Sequence, residues 1–361
     1  MTTRRTLLAG LGATVLAPGL SWASAGAPDF LSAARKPDGT YALAGLRESG
    51  EIAFAIPLPG RGHAAAAHPK RPVAVAFARR PGRFAVALDC VTGATLARFE
   101  APQGRHFYGH GAFSADGRSF FTTENDFEAA RGVIGVWNAA DFTRTGEFSS
   151  GGIGPHDIAL MPDGESLVVA NGGIETHPDA GRAKLNIPTM RPNLSYLGLD
   201  GAMREVLELE AALHRNSIRH LALRPDGLVA FAMQWQGDLA EAPPLLGLHR
   251  RGESLRLLSA DPGAQRRMQG YAGSVSISAS GAQVAISSPR GGATDVFDPE
   301  TGRHIARCEA RDVCGLGPES DGFFFSTGTG DVGRIAGGEA FTTARAAMNW
   351  DNHLIAIPKP G

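Results

Sequence analysis

The chain has 361 residues, of which 43% are hydrophobic, 20% charged and only 7% aromatic, with 47 Gly and 23 Pro. Plentiful Gly and Pro with few aromatic residues favour short elements joined by tight turns over a helix bundle. The formal net charge of -1 excludes the basic field that nucleic acid or an anionic membrane surface would require.

The first 25 residues have the pattern of an export signal. Arg4 and Arg5 precede an apolar run, rich in Gly and Ala, from Leu7 to Leu20, and an Ala-x-Ala site follows at 23–25. Such a segment is typical of a signal peptide of the twin-arginine type rather than of a spanning helix. We therefore expect a signal peptide at 1–25, a single domain at 26–361, a periplasmic location and no membrane span.

A short motif then recurs along the chain: an apolar strand, a turn that ends in Gly, and a second apolar strand. An Asp-Gly turn joins two antiparallel strands tightly, so each copy predicts a hairpin. An earlier copy, from residue 63, has a degraded turn in which His68 is expected to be solvated. The clear copies begin with residues 110–117, 156–164, 220–227, 274–281 and 314–322.

Two further short strands follow each hairpin, and units of four antiparallel strands are the sequence pattern of propeller blades. Six units can be counted from residue 63 to about residue 345. Strand-like segments at 30–45, 51–58 and 352–357 complete a seventh. The sequence therefore predicts an all-β fold, a seven-bladed β-propeller closed by pairing N- and C-terminal strands. A β-sandwich or two smaller β domains is the alternative, against which the regular repeat argues.

Ligand-type side chains recur at the start of the first strand of these units. The first strand of a blade lines the central channel, so equivalent positions of all blades converge near the axis. Imidazole and thiolate bind copper, zinc and iron. Ser274 occupies one such position. The other six predict a metal centre made of His63, His110, His156, His220, Cys314 and His353.

Two observations weaken this prediction. His156 and Cys314 lie one residue further from the Gly of their turns than the other histidines do. They can therefore point away from the axis, and Asp157 would then replace His156. Propeller channels are also lined by small polar residues that bind ordered water, so a water-filled channel without metal is the alternative.

The loops between the second and third strands emerge on the same face as the first-strand starts. They are polar and rich in Gly, which suits a cofactor or ligand site. Trp235 could stack on a ligand or pack between blades. Arg290 could bind an anionic group or pair with Asp126 or Glu124. The predicted cofactor-binding residues are Glu124, Asn125, Asp126, Gln234, Trp235 and Arg290.

Over essentially its whole mature length the chain resembles an uncharacterised bacterial family of exported seven-bladed propellers of the quinoprotein or YVTN type. The resemblance implies a periplasmic propeller, often encoded beside imelysin-type iron-uptake proteins and a di-haem-type oxidoreductase. It implies no catalytic residue. The blocks that carry it are 123–137, 152–164, 171–186, 217–227, 234–238, 287–292 and 349–353.

No nucleophile elbow, phosphate loop, dinucleotide fingerprint or c-type haem motif is present, which favours a role other than catalysis. We predict a monomer that binds iron or copper at the rim of the channel and serves metal uptake or handling. Its expected partners are periplasmic iron-uptake or redox proteins, and the family context favours iron. An interaction scaffold without metal and a quinoprotein-like oxidoreductase are the alternatives.

Overall fold

The computed structural model describes residues 20–79, 83–181 and 183–358. Most of the predicted signal peptide, residues 1–19, lies outside the described residues. The described chain forms seven antiparallel sheets, each with four strands or five. The fold is an all-β seven-bladed propeller, as the repeat predicted.

The blades follow one another along the chain, and we number them 1 to 7 with the closing blade last. The N-terminal strands of blade 7 are β1 (Phe30–Arg35), β2 (Tyr41–Leu46) and β3 (Ile52–Leu58). Blade 1 contains β4 (Gly62–Ala67), β5 (Val73–Ala78), β6 (Phe84–Asp89) and β7 (Thr95–Glu100). Blade 2 contains β8 (Arg105–Phe113), β9 (Ser119–Asp126), β10 (Arg131–Asn138) and β11 (Arg144–Ser149). Blade 3 contains β12 (Pro155–Leu160), β13 (Ser166–Asn171), β14 (Asn193–Gly198) and β15 (Met203–Glu208).

The second half of the chain repeats this layout. Blade 4 contains β16 (Asn216–Leu223), β17 (Val229–Trp235), β18 (Leu246–His249) and β19 (Arg256–Leu258). Blade 5 contains β20 (Ser274–Ile277), β21 (Val284–Ser288), β22 (Ala293–Phe297) and β23 (His304–Glu309). Blade 6 contains β24 (Val313–Pro318), β25 (Phe323–Thr327), β26 (Asp331–Ala336) and β27 (Glu339–Arg345). The C-terminal strands of blade 7 are β28 (Asn349–Trp350) and β29 (Ile355–Ala356).

Helical structure is minor in the described ranges. One short α-helix, α1 (Pro262–Arg267), lies between blades 4 and 5. No described helix has the length and apolar character needed to cross a bilayer. Short 3-10 turns occur at Trp22–Ala25, Pro178–Ala180, Ile187–Thr189, Ala211–Leu213 and Leu239–Glu241.

The hairpin turns show why the repeat ends in Gly. Gly117 has a φ of 75° and donates its N–H to the Ser114 carbonyl at 2.9 Å. This left-handed conformation costs little only when no Cβ is present. In blade 1 the turn lacks this Gly, and the side chain of His68 stabilises the turn instead. Its Nδ1 accepts hydrogen bonds from the N–H groups of Lys70 and Arg71, both at 3.0 Å. His68 is only 2% exposed, so the expectation that it is solvated is wrong.

Apolar side chains fill the spaces between neighbouring blades and form the core. Between blades 6 and 7, Phe30 stacks on Phe324 with ring centroids 5.2 Å apart. Between blades 1 and 2, Phe77 contacts the rings of Phe107 and Phe120. The ring of blades is thus held together by face-to-face packing of twisted sheets.

Blade 7 closes the ring with strands from both chain ends, as predicted. Leu31 of β1 pairs with Ile355, and Ala34 pairs with Trp350. Between β28 and β29 the chain leaves the sheet, although the Asp351 N–H still donates to a β1 carbonyl. This interruption holds residues 351–354 beside the channel axis.

Candidate metal centre

Five imidazole rings, from blades 1, 2, 3, 4 and 7, meet in the central channel. The ring centroid of His353 lies 4.6 Å from that of His63, 4.7 Å from that of His110 and 4.8 Å from that of His220. The ring of His156 lies 4.8 Å from that of His220. The sequence-predicted histidines therefore converge on the axis, although they come from distant parts of the chain.

Each clustered histidine lies at or beside a break in strand pairing. In blades 1 to 4 the register of the first and second strands shifts at the histidine or beside it. A β-bulge leaves a residue unpaired and redirects its side chain, and bulges are frequent beside active sites. In blade 7 the interruption between β28 and β29 does the same for His353. Blade 5 has no such shift in β20, and it carries Ser274 rather than His.

The bulge of blade 3 brings both candidate side chains to the channel. The register shifts between Pro155 and Asp157, with His156 as the extra residue. The ring of His156 lies 5.1 Å from that of His110, while an Asp157 carboxylate oxygen lies 3.0 Å from His110 Nδ1. His156 and Asp157 therefore both lie beside His110, because the bulge interrupts the regular alternation of side chains along the strand.

Cys314 does not join the histidines. Its thiol donates to the Asp312 carbonyl at 3.2 Å, and burial raises the pKa of this thiol to about 12. Among the described residues, Cys314 is not one of those whose ligand atoms lie close enough together to hold an ion.

One carboxylate holds His110 from outside the cluster, and a second lies near His63. Asp157 accepts from His110 Nδ1 through one oxygen and from the Leu221 N–H, at 3.0 Å, through the other. Asp351 lies 3.5 Å from His63 Nδ1 and is itself bound by Arg79 at 2.6 Å. Carboxylates behind histidine ligands fix the tautomer and orientation of the ring in metal proteins.

Each of the five rings retains a buried nitrogen that has no hydrogen-bond partner among the described residues. Burying an unpaired polar atom costs free energy, so such atoms are rare in native proteins and call for a partner such as a water or an ion. For His63 the nearest acceptor is the 3.5 Å contact to Asp351, which is long for a hydrogen bond. The atoms are His63 Nδ1, His110 Nε2, His156 Nδ1, His220 Nδ1 and His353 Nε2.

Burial favours the uncharged form of four of these rings. It lowers the pKa of His63 to about 4 and holds the pKa values of His156, His220 and His353 well below their ordinary value. Burial alone would raise the pKa of Asp157, but the contacts with His110 and with the Leu221 N–H outweigh it and the pKa is lowered. At neutral pH these four histidines therefore offer neutral imidazoles, the protonation state that a metal requires.

The nitrogen atoms fall into two groups of three that could hold a metal ion, with the ligand atoms of each group within 4.8 Å of one another. Tetrahedral nitrogen ligands of one ion lie about 3.3 Å apart, so any pair of atoms near the 4.8 Å limit must move closer on binding. Both groups contain His110. Because Asp157 binds the Nδ1 of His110, only its Nε2 is left as a ligand for either group. The geometry therefore suits one ion. The groups are His63 with His110 and His353, and His110 with His156 and His220.

The predicted loop residues of blade 2 form internal contacts. Glu124 is fully buried and receives Arg144 at 2.6 Å. The Asn125 amide donates to the Thr176 carbonyl at 3.0 Å. Asp126 pairs with Arg131, which lies nearby on β10. These contacts order the loop and leave Glu124 no free oxygen directed at the channel.

The predicted loop residues of blades 4 and 5 form no open stacking platform. Trp235 is 5% exposed, its Nε1 donates to the Asp238 carbonyl at 2.9 Å, and the guanidinium of Arg215 lies over its ring. The Gln234 amide donates to a backbone carbonyl at 3.2 Å. Arg290 is exposed and lies over the ring of Tyr271, at 4.5 Å, rather than beside Glu124 or Asp126.

Comparisons with known proteins support the fold. A family model described as "Protein of unknown function (DUF1513)" matches residues 56–357. No curated protein has a significantly similar sequence. Among solved structures, hydrazine synthase of Kuenenia stuttgartiensis is similar, with a TM-score of 0.58 and 14% sequence identity, over 82% of this chain and 89% of that chain. At this identity the similarity concerns the fold and says nothing about activity.

Proposed function

The chain belongs to the DUF1513 family, and we propose that it is a periplasmic protein that binds one transition-metal ion in the histidine cluster of its channel. The observation that carries the proposal is the convergence of five buried imidazoles, each with an unpartnered nitrogen. A water-filled channel needs polar side chains, but it does not need five ligands of one type held by bulges and by carboxylates.

The bound ion is iron or copper. Neutral imidazole suits both, and zinc as well, while carboxylates beside the site favour iron. Asp157 and Asp351 supply such carboxylates next to His110 and His63. The resemblance to exported propellers encoded beside iron-uptake proteins also favours iron. The role proposed is metal uptake or handling, with periplasmic iron-uptake or redox proteins as partners.

Export follows from the proposed signal peptide at 1–25. The twin-arginine route carries folded proteins, so the ion can be bound before export. Replacing both Arg4 and Arg5 with Lys is expected to retain the protein in the cytoplasm, measured by cell fractionation. Unchanged periplasmic yield of this variant would contradict the proposed route.

Metal content tests the proposal. We expect protein purified from the periplasm under mild conditions to hold about one iron or copper ion per chain by elemental analysis. The double substitution His110→Ala with His220→Ala removes a member of both ligand groups and should abolish binding. The matched control, His177→Ala with His214→Ala, alters two loop histidines and should retain the ion.

Thermal unfolding of both double variants checks that the propeller still folds. If the folded wild type contains no metal, or if the channel variant contains as much as the control, the proposal fails. The scaffold alternative would then explain the fold better.

A further inference from the structure

The channel contains a cavity of about 380 Å³ on one side of the histidine cluster. Most of its lining residues follow the clustered histidines along the first strands of their blades, so it extends from the cluster toward the hairpin-turn face. His110, Asp157, His220 and His353 form its polar end. Its wall includes residues 65–67, 111–113, 158–160 and 354–356.

Small side chains create this space. Residues 65–67 are all Ala, and Ala112 and Ala159 continue the pattern in the next two blades. Larger side chains fill the centre of most small closed β structures. Here the interior is kept open directly beside three of the five histidines.

The wall suits an uncharged occupant. No Lys or Arg occurs among the described residues that line the cavity. The carboxylate of Asp157 is already engaged by His110 and by the Leu221 N–H. A charged ligand would therefore lose its hydration without gaining a partner, which is costly in free energy.

The opposite rim has a different character. There Asp351 binds Arg61 at 3.0 Å and Arg79 at 2.6 Å, so charged side chains surround that approach to His63. The two approaches to the cluster thus differ in polarity, and the hairpin-turn side is the one that offers an apolar path.

We propose that this cavity is the binding pocket for a small, uncharged molecule with one donor atom, which reaches an open coordination position of the metal from the hairpin-turn face. The inference rests on the proposed function, since it assigns a ligand to the same ion. Three imidazoles leave coordination positions open, as in catalytic rather than structural metal sites. The cavity volume lies within the range of about 300–1,000 Å³ that is typical of small-molecule pockets.

Pyridine, a flat uncharged donor, is a suitable probe of the Co²⁺-loaded protein, because cobalt d–d bands report changes in coordination. We expect saturable changes in these bands on titration with pyridine. Ala112→Leu places a larger side chain in the cavity wall and should weaken pyridine binding about tenfold or more with unchanged cobalt content. Ala67→Leu places a larger side chain in the same cavity wall from blade 1, and it replaces Ala112→Leu in the experiment if that variant folds poorly.

The matched control is Ala202→Leu, at an exposed turn of blade 3, which should bind pyridine as the wild type does. If cobalt binds but pyridine produces no spectral change, or if neither cavity variant weakens pyridine binding, the pocket assignment is overturned while the metal site stands. If the folded protein binds no cobalt, the proposed function fails as well.

Discussion

His110 has the most sharply defined surroundings of the clustered histidines. Asp157 accepts its Nδ1–H at 3.0 Å, which leaves Nε2 directed to the interior without a partner. The ring is therefore oriented before any ion arrives, and little reorganisation of this residue is needed on binding.

Replacing Asp157 with Asn removes the charge behind His110 but keeps the size of the side chain. We expect metal affinity to fall about tenfold, because outer carboxylates typically contribute 10- to 100-fold to affinity. Competition with a coloured chelator measures this change. Asp179→Asn alters a largely exposed carboxylate and should leave the affinity unchanged. Equal affinities for the two variants would show that Asp157 does not orient a ligand.

His68 provides a pH test away from the cluster. Burial and the nearby Arg71 lower its pKa to about 4, from 6.5. Because the unfolded chain takes up the proton first, the stability linked to this group is fully present above pH 6.5 and is lost as pH falls toward 4. The shift corresponds to about 3 kcal/mol.

Urea unfolding between pH 7 and pH 4 measures this dependence. We expect the free energy of unfolding of His68→Asn to fall less steeply with acid than that of the wild type. An NMR titration in which His68 protonates near its ordinary pKa would contradict the expectation.

Among the secondary-structure elements, the β-bulges limit how much of the site can be predicted from the sequence. Turn glycines such as Gly117 and Gly227 mark the hairpins, so the strands could be placed from local pattern alone. The direction of a side chain within a first strand could not be predicted, because a bulge changes the register and no particular residue type marks its position. His156 and Cys314 occupy similar positions by counting, yet His156 joins the cluster and Cys314 does not.

The bulge of blade 2 can be tested at Gly109. This residue has a φ of 101°, and a Cβ there would lie 2.6 Å from the His63 ring. Gly109→Ala should therefore lower stability by roughly 1–3 kcal/mol and also displace His63, weakening metal binding. Gly227→Ala, at φ 89° with open space around it, should lower stability but leave metal affinity unchanged. Parallel measurements of unfolding and metal affinity distinguish strain alone from disturbance of the site.

At the scale of the whole molecule, ring closure links stability to the site. The C-terminal segment pairs with β1 and carries both Asp351 and His353 to the axis. Its buried Trp350 and Leu354 also fill the space beside blade 6. The closing strands could be predicted from the sequence, because the strand-like segments at the two chain ends together complete a seventh blade. The buried cavity could not be predicted, because it depends on the packing of residues that are distant in the sequence.

Ending the chain after residue 348 should expose the edge of β1, remove these contacts and lower the free energy of unfolding by several kcal/mol. Thermal unfolding and size-exclusion chromatography measure the loss of cooperativity and the association expected of an open edge. A chain that ends after residue 358 keeps β28 and β29 and should behave as the wild type. Cooperative, monomeric unfolding of the shorter chain would contradict the importance of closure.

The most direct test of the metal centre is X-ray diffraction from a crystal of the metal-loaded protein, measured at the absorption edge of the metal. A metal centre in the histidine cluster predicts one anomalous difference peak per chain on the channel axis, within coordination distance of His110 and of two further clustered histidines. No peak on the axis, or a peak only at surface side chains, would contradict it.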